Sequence, residues 1–468
     1  MDTMDFLTEL RAVVDAPGLV RAADALAHYA IEPRGRFHGV PLAVARPAST
    51  TMLAQVVRLC QRHHVAIVPQ GGRTGLVGGG SALNGELVIS LERLRALRSI
   101  DPIDASLVVE AGATLAQVRT WAAEKGLRYP VSLASEGTAS IGGTIATNAG
   151  GNLTIRYGNT RQQVLGLEAV LPDGRVFSEL SPLRKDNSGY DLKQLLIGSE
   201  GTLGVITAAC LRLVPAPRQD VTAMLACESL DAGLALLERL RAAFGETLSA
   251  CEFMPRLAMD FVLADQASAR DPFERPHPWY VLVQLESSLV GDGLERAAES
   301  ELVGLIERGL AIDGVVAESD TQTDQLWQLR EGISWAQKQG GVSLKHDISV
   351  PVPRIPEFMT RVLPALEGAV PGIRPCVFGH LGDGNLHFNL SQPEDGSAEA
   401  FRATEPLCNR IVFDQVRDFG GSIAAEHGIG QLRRNELAQG QPIKVDLMRR
   451  IKSAIDPHGL MNPGKVLD

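Results

Sequence analysis

Two histidines seven residues apart, His380 and His387, flank an Asp-Gly pair in the stretch GHLGDGNLHFNL, residues 379–390. Imidazoles serve as general acid–base groups and as ligands for divalent metals. The glycines rule out a helix, and CVFGH and LHFNL have the pattern of short strands. Asp383-Gly384 predicts a two-residue hairpin turn. That turn pairs Gly382 with Asn385 and Leu381 with Leu386, and sets His380 directly opposite His387. Opposed residues share a face with Cβ atoms about 4.5–5.5 Å apart. Asn389, two residues on, points the same way. Such a pair suits one divalent metal, although two stacked surface histidines fit the same spacing. A hairpin supplies only two ligands. AAEHGIG offers a third in Glu426, beside His427. Two histidines and a carboxylate with an open position form a catalytic metal pattern.

A second group of residues could bind an anion. In LWQLREGISWAQKQGGVSLKHDISVP, Arg330 and Ser334 stand at i, i+4 and share a face of one expected helix. Lys345 lies on the strand that follows. Arginine offers a fork for a carboxylate and lysine a point charge. Surface charges would have the same composition.

Glycine-rich stretches supply a third group. PQGGRTGLVGGG, residues 69–80, follows the strand VAIV. Gly71, Gly72 and Gly75 free backbone N–H groups to converge on an anion, with Arg73 and Thr74 as added donors. The loop is neither G-x-G-x-x-G opening a helix nor a P-loop. SEGTASIGGTIATNAGGNLTIRYGNT, residues 135–160, is long, polar and small-sided. It is expected to wrap a large flat ligand as backbone and not to form a packed helix. In DNSGYDLKQLLIGSEGTLGVITAACLRLVP a helix is expected to end at Gly198 before a β-branched strand.

The elements that must carry these residues fall into two regions. Length 468 favours two or three domains. Residues 1–35 read as helices, and alternating strands and amphipathic helices run to about Pro215. RLVPAPRQD marks a boundary. Beyond it, strand–helix–strand patterns suggest an antiparallel sheet with helices on one face. The fold class is α+β, with domains expected at 1–217, 218–420 and 421–468. A net charge of −10 argues against nucleic acid and anionic membrane surfaces. No apolar run approaches the roughly 18 residues of a membrane span. Six scattered cysteines without C-x-x-C argue against an iron–sulfur cluster and a disulfide framework. They fit a reducing cytoplasm, each as a small buried apolar residue.

The three glycine-rich segments, in order, resemble the flavoprotein superfamily of vanillyl-alcohol oxidase and p-cresol methylhydroxylase. The resemblance implies a two-subdomain FAD-binding domain. Gly71, Gly72, Thr74 and Gly75 would hold the pyrophosphate, with Arg73 and Leu76 in the same loop. Ser135, Thr138, Ser140, Gly142, Gly143, Thr147 and Ala149 would line the cofactor, as would Glu200, Ile206 and Asn462. The first loop contains no His or Cys, so FAD is expected to be noncovalent. FGHLGDGNLHFN, AAEHGIG and DPHGLMNPGK resemble the C-terminal half of FAD-linked D-2-hydroxyacid dehydrogenases. That implies Zn²⁺ or Mn²⁺ at His380, His387 and Glu426, His427 as general base, and Asn389 against substrate. Arg330, Lys345 and Ser334, the last in place of a usual Thr, look most like the carboxylate site of the D-2-hydroxyglutarate branch. A second cation makes most sense for a dicarboxylate. D-lactate, D-malate and glycolate stay open as substrates. So does a non-redox flavin transferase like alkyl-dihydroxyacetonephosphate synthase, or a partner subunit of a larger complex. The resemblance implies electron-transfer flavoprotein or a quinone as acceptor, and a homodimer is one expected state.

Overall fold

The Thr50–His63 helix shows how the sequence builds the first part of the structure, a computed structural model that describes residues 3–468. Ser49 caps it by accepting the Met52 N–H, and Leu53, Val56, Val57 and Cys60 form its buried stripe. His64 ends it in the left-handed conformation, φ 54°. The chain then enters the buried strand Ile67–Gln70. This strand and Leu87–Ser90 are parallel, as are Leu87–Ser90 and Ala43–Ala45; Leu19–Val20 completes a four-stranded sheet.

An antiparallel five-stranded sheet follows, in the order Leu97–Asp101, Ser106–Glu110, Val205–Arg212, Val164–Val170 and Val176–Glu179. Both sheets share one apolar core with the Thr50–His63 helix, with Ile141 and Ile145, and with Met461 from near the C-terminus. These elements belong to one compact unit, made of residues 1–151, 158–216 and 426–468.

The polar segment 135–160 is not wholly extended, contrary to the expectation. It contains the short helices Ile141–Thr147, Thr154–Tyr157 and Thr160–Gln163. Ile141 and Ile145, one turn apart and fully buried, give the first of these an apolar face. Ser140 caps it.

Residues 152–157 and 217–425 form the second unit. Its sheet has seven antiparallel strands, in the order Asp313–Val316, Gln219–Cys227, Trp279–Ser287, Leu248–Pro255, Arg374–His380, Asn385–Ser391 and Ser343–Ser349. Helices cover both faces, not one. Leu230–Phe244, Gly293–Glu307, Ile355–Ala369 and Glu405–Asp418 pack on one side. Arg256–Asp265, Asp320–Glu331 and Ile333–Ala336 pack on the other. The reason lies in the strands: Val221, Ala223 and Leu225 bury one face of Gln219–Cys227, while Met224 and Ala226 bury the opposite one. All six cysteines are buried and free.

Candidate functional site

In the first unit, the glycine loop after Gln70 is pressed against the Ser135–Thr147 backbone. A Cβ on Gly72 would lie 1.8 Å from the Thr138 carbonyl oxygen, and one on Gly71 would lie 2.0 Å from Ser140 Oγ. The Gly72 N–H donates to Ser140 Oγ at 3.2 Å, and the same oxygen accepts the Gly143 N–H at 3.3 Å. Gly142 packs on Ala111 and donates its N–H to the Ala111 carbonyl at 2.7 Å. Ser135 turns the chain, its carbonyl accepting the N–H groups of Thr138 and Ala139. The Thr147 hydroxyl donates to the Gly143 carbonyl, and buried Ala149 accepts from Thr160. Thr74 and Leu76 are half-buried, and Gly75 is exposed with open space around it. Ile206 is buried where the ladder shifts register between Ile206 and Ala208.

Two residues of this group do something other than expected. Arg73 hydrogen-bonds His28 and stacks 5.0 Å from the Tyr29 ring centroid. Glu200 is engaged with protein backbone. Its Oε1 accepts the Ile429 N–H at 2.7 Å and its Oε2 the Gly430 N–H at 2.8 Å. Burial pushes its carboxyl up to about 7, only partly offset by those two donors. Asn462 ties the unit together from the C-terminal segment, its Nδ2 donating to the carbonyls of Gly79 and Glu200. Its Oδ1 is buried without a hydrogen-bond partner.

These features fit FAD. Two backbones meet at glycines that no side chain could replace, and small residues line the junction. An orphaned buried acceptor stands where the glycine segments converge.

In the second unit, the histidine hairpin differs from expectation in register. The connection is four residues, Leu381–Gly384, so His380 opposes Asn385 and His387 opposes Phe378. Leu381 is fully buried, and a Cβ on Gly382 would strike Ile155 at 2.4 Å. That packing draws both residues out of the ladder. The shift is by two residues, so it preserves facing; a shift of one would have turned His387 over. The two rings remain neighbours on one face, centroids 5.4 Å apart in a T-shape, with ring nitrogens within 4.8 Å.

The same face carries the other polar groups. Asp347 opposes His387, and Lys345 opposes Asn389. Asn385 Nδ2 donates to Asp347 Oδ1 at 3.0 Å, while Asn385 Oδ1 is buried without a partner. From the adjacent strand, Glu252 stands opposite His380 and is 1% exposed. Its Oε1 accepts from His380 Nδ1 at 2.7 Å, and its Oε2 accepts from Arg330 Nε at 2.9 Å. Arg330 Nη2 lies 2.8 Å from the same oxygen. Burial alone would raise the Glu252 carboxyl, but His380 and Arg330 outweigh it and hold it below its ordinary value. The fork expected to face a ligand therefore faces Glu252 with its Nε–Nη2 edge, and the guanidinium lies 4.9 Å from the Phe378 ring centroid.

Arg330 and Ser334 do not share one continuous helix. Asp320–Glu331 ends and Ile333–Ala336 begins around Gly332, and Ser334 is exposed. Instead Gln337, fully buried just past the short helix, reaches the polar face. Its Oε1 accepts from Lys345 Nζ at 3.2 Å and from Asn389 Nδ2 at 2.7 Å.

Glu252, Gln337 and Asn385 escape the motif reading. Glu252 had a signal: it is the single charge in the apolar strand LSACEFMP. Gln337 had none, because nothing local marks a glutamine as buried.

A tautomer follows from this geometry. A carboxylate accepts only, so His380 carries a proton on Nδ1, and in the neutral ring Nε2 is the nitrogen that can ligate. Two imidazoles so arranged fit a divalent metal. Glu426 and His427 open the last segment of the first unit. The preceding Ala425 donates its N–H to the Asp347 carbonyl at 3.3 Å.

Residues 41–178 match the family described as FAD binding domain, and residues 216–466 match FAD linked oxidases, C-terminal domain. The chain is 41% identical over 463 residues to a D-2-hydroxyglutarate dehydrogenase of Xanthomonas citri pv. viticola, covering 99% of this chain and 97% of that protein. It is 37% identical over 434 residues to the mitochondrial D-2-hydroxyglutarate dehydrogenase of Arabidopsis thaliana, covering 92% and 76%. Among solved structures, p-cresol methylhydroxylase with bound substrate aligns with a TM-score of 0.77 at 17% identity, over 99% of this chain and 97% of that one. Alkyldihydroxyacetonephosphate synthase aligns with a TM-score of 0.74 at 16% identity, over 98% and 84%. At such identities these two likenesses speak for the fold alone.

Proposed function

Because the chain belongs to the FAD-linked oxidase family, as an FAD-dependent D-2-hydroxyacid dehydrogenase, we propose that it oxidises D-2-hydroxyglutarate to 2-oxoglutarate with the help of a divalent metal. The observation that carries the substrate is the second cation. Lys345 sits on the same sheet face as His380, His387 and Asn389, and buried Gln337 braces it. A dicarboxylate offers Arg330 and Lys345 one carboxylate each, whereas a monocarboxylate such as lactate or glycolate offers a single anion.

The metal would be held by His380, His387 and Glu426. Support comes from the histidine pair and from Ala425, whose N–H donates to the carbonyl of Asp347 opposite His387 and which directly precedes Glu426 in the chain. When bound, the metal would supply Lewis-acid polarisation of the substrate hydroxyl, and FAD would supply the two-electron redox chemistry. The chain's own groups do the rest. His427 takes the hydroxyl proton on a ring nitrogen. Lys345 and the remaining Nη1 edge of Arg330 hold the carboxylates. Asn389, fixed by Gln337, contacts the substrate. Ser334, exposed at the start of its short helix, would contribute a hydroxyl only at the periphery. Gly71, Gly72, Thr74 and Gly75 would hold the FAD pyrophosphate without a covalent link. The two electrons leave to a separate acceptor, electron-transfer flavoprotein or a quinone.

Anaerobic titration with D-2-hydroxyglutarate, D-malate, D-lactate and glycolate tests this directly. D-2-hydroxyglutarate is expected to bleach the flavin absorbance at the lowest concentration. Preference for lactate would overturn the dicarboxylate reading, and bleaching by none of them would overturn the reaction.

A further inference from the structure

Glu252 is a buried carboxylate with two strong partners of different kinds. One oxygen takes the Nδ1 proton of His380, and the other faces the Arg330 guanidinium. It is held there by a short strand contact, in which only Glu252–His380 and Phe253–Gly379 pair. Flanking residues Cys251 and Phe253 are buried in the core on the opposite side, and Glu252 itself is 1% exposed, so its carboxylate is shielded from water.

We propose that Glu252 is the positioning residue of the metal site. It fixes the His380 tautomer so that Nε2 faces the ion, and fixes Arg330 so that only its outer edge meets a carboxylate. The inference rests on the reading that His380 is a metal ligand. Three physical points carry it. A neutral imidazole can ligate through Nε2 only if its proton sits on Nδ1, and a carboxylate acceptor at 2.7 Å enforces that. A carboxylate behind a ligating imidazole also raises its basicity. And Glu252 offsets the charge of the buried guanidinium, whose burial unpaired would be costly. One side chain thus couples metal affinity to substrate anchoring.

The test compares Zn²⁺ affinity of the flavin-loaded protein, by competition with a chromogenic chelator, in wild type, Glu252→Gln, His380→Ala and the double variant. The amide cannot accept from both partners. Glu252→Gln should weaken Zn²⁺ binding by about 10–100-fold while flavin content stays at wild-type level. In the His380→Ala background the same substitution should cost nothing more, which a general loss of stability would not produce. Unchanged Zn²⁺ affinity in Glu252→Gln, with His380→Ala impaired, sinks the inference and leaves the metal reading standing. Unchanged affinity in His380→Ala sinks the metal reading itself. Should Glu252→Gln not fold, ¹⁵N-histidine NMR of metal-depleted, flavin-loaded wild type decides. The resonance absent from His380→Ala should report protonation at Nδ1, and protonation at Nε2 would refute the role.

Discussion

Single side chains in this protein take their roles from what they are buried against. Glu200 illustrates this in the first unit. Its motif suggested a cofactor contact, yet both oxygens accept backbone N–H groups of Ile429 and Gly430, two and three residues past His427. It therefore anchors the loop that carries the proposed base. Its carboxyl is raised from 4.5 to about 7 by burial. Between those values the folded protein keeps a proton that the unfolded chain has released, so this group's contribution to stability falls as pH rises through that window. Glu200→Gln removes the titration, and its melting temperature should vary less between pH 5 and 7.5 than that of wild type. An equal slope by differential scanning fluorimetry would falsify the assignment. Gln337 gives a second prediction at this scale. Replacing it with leucine removes the acceptor shared by Lys345 and Asn389. A hydrogen bond to a charged group is worth roughly 1.5–3 kcal/mol. The KM for D-2-hydroxyglutarate should accordingly rise about tenfold or more, with a smaller change in kcat; a kcat loss at constant KM would contradict a binding role.

Elements place these side chains through register and close approach. The hairpin was readable as a hairpin, and its histidines as facing the same way. Its turn was not, because Leu381 is claimed by the core and Gly382 by Ile155, contacts distant in sequence. Period-two alternation protected the conclusion, since a two-residue slip leaves every side chain on its original face. Close approach governs the flavin segments. Gly72→Ala would put a methyl carbon 1.8 Å from a backbone oxygen, which neither segment can relieve by a rotamer change. That variant is expected to be isolated without flavin, as judged by its absorbance ratio at 450 and 280 nm. Ser140→Ala is milder. It removes a helix cap worth about 1 kcal/mol and the acceptor for Gly72, and should lower FAD affinity while leaving the protein folded.

At the scale of the whole molecule, the chain leaves the first unit after Ala216 and re-enters it at Glu426. The returning segment is integral to that unit: Met461 is fully buried in its core, and Asn462 bonds the carbonyls of Gly79 and Glu200. A fragment ending at Ala216 is therefore expected not to retain FAD on size-exclusion chromatography, although it contains every glycine motif. The 468-residue chain should release all its flavin into the supernatant on acid precipitation, since no His or Cys lies in the loop at residues 69–80. The sequence by itself determined the flavin fold, the family, the histidine pair and the two cations, because these depend on local patterns: glycine spacing, alternation, and a few motifs of fixed length. Tertiary structure alone decided that helices cover both faces of the second sheet, that the hairpin turns over four residues, and that Glu200 grips backbone. It also decided that Arg330 is half-spent on Glu252 and that Gln337 braces Lys345. Each of these depends on which distant residue a buried polar group finds as its partner. Desolvation makes such a partner obligatory, but leaves no mark on the neighbouring sequence that would identify it.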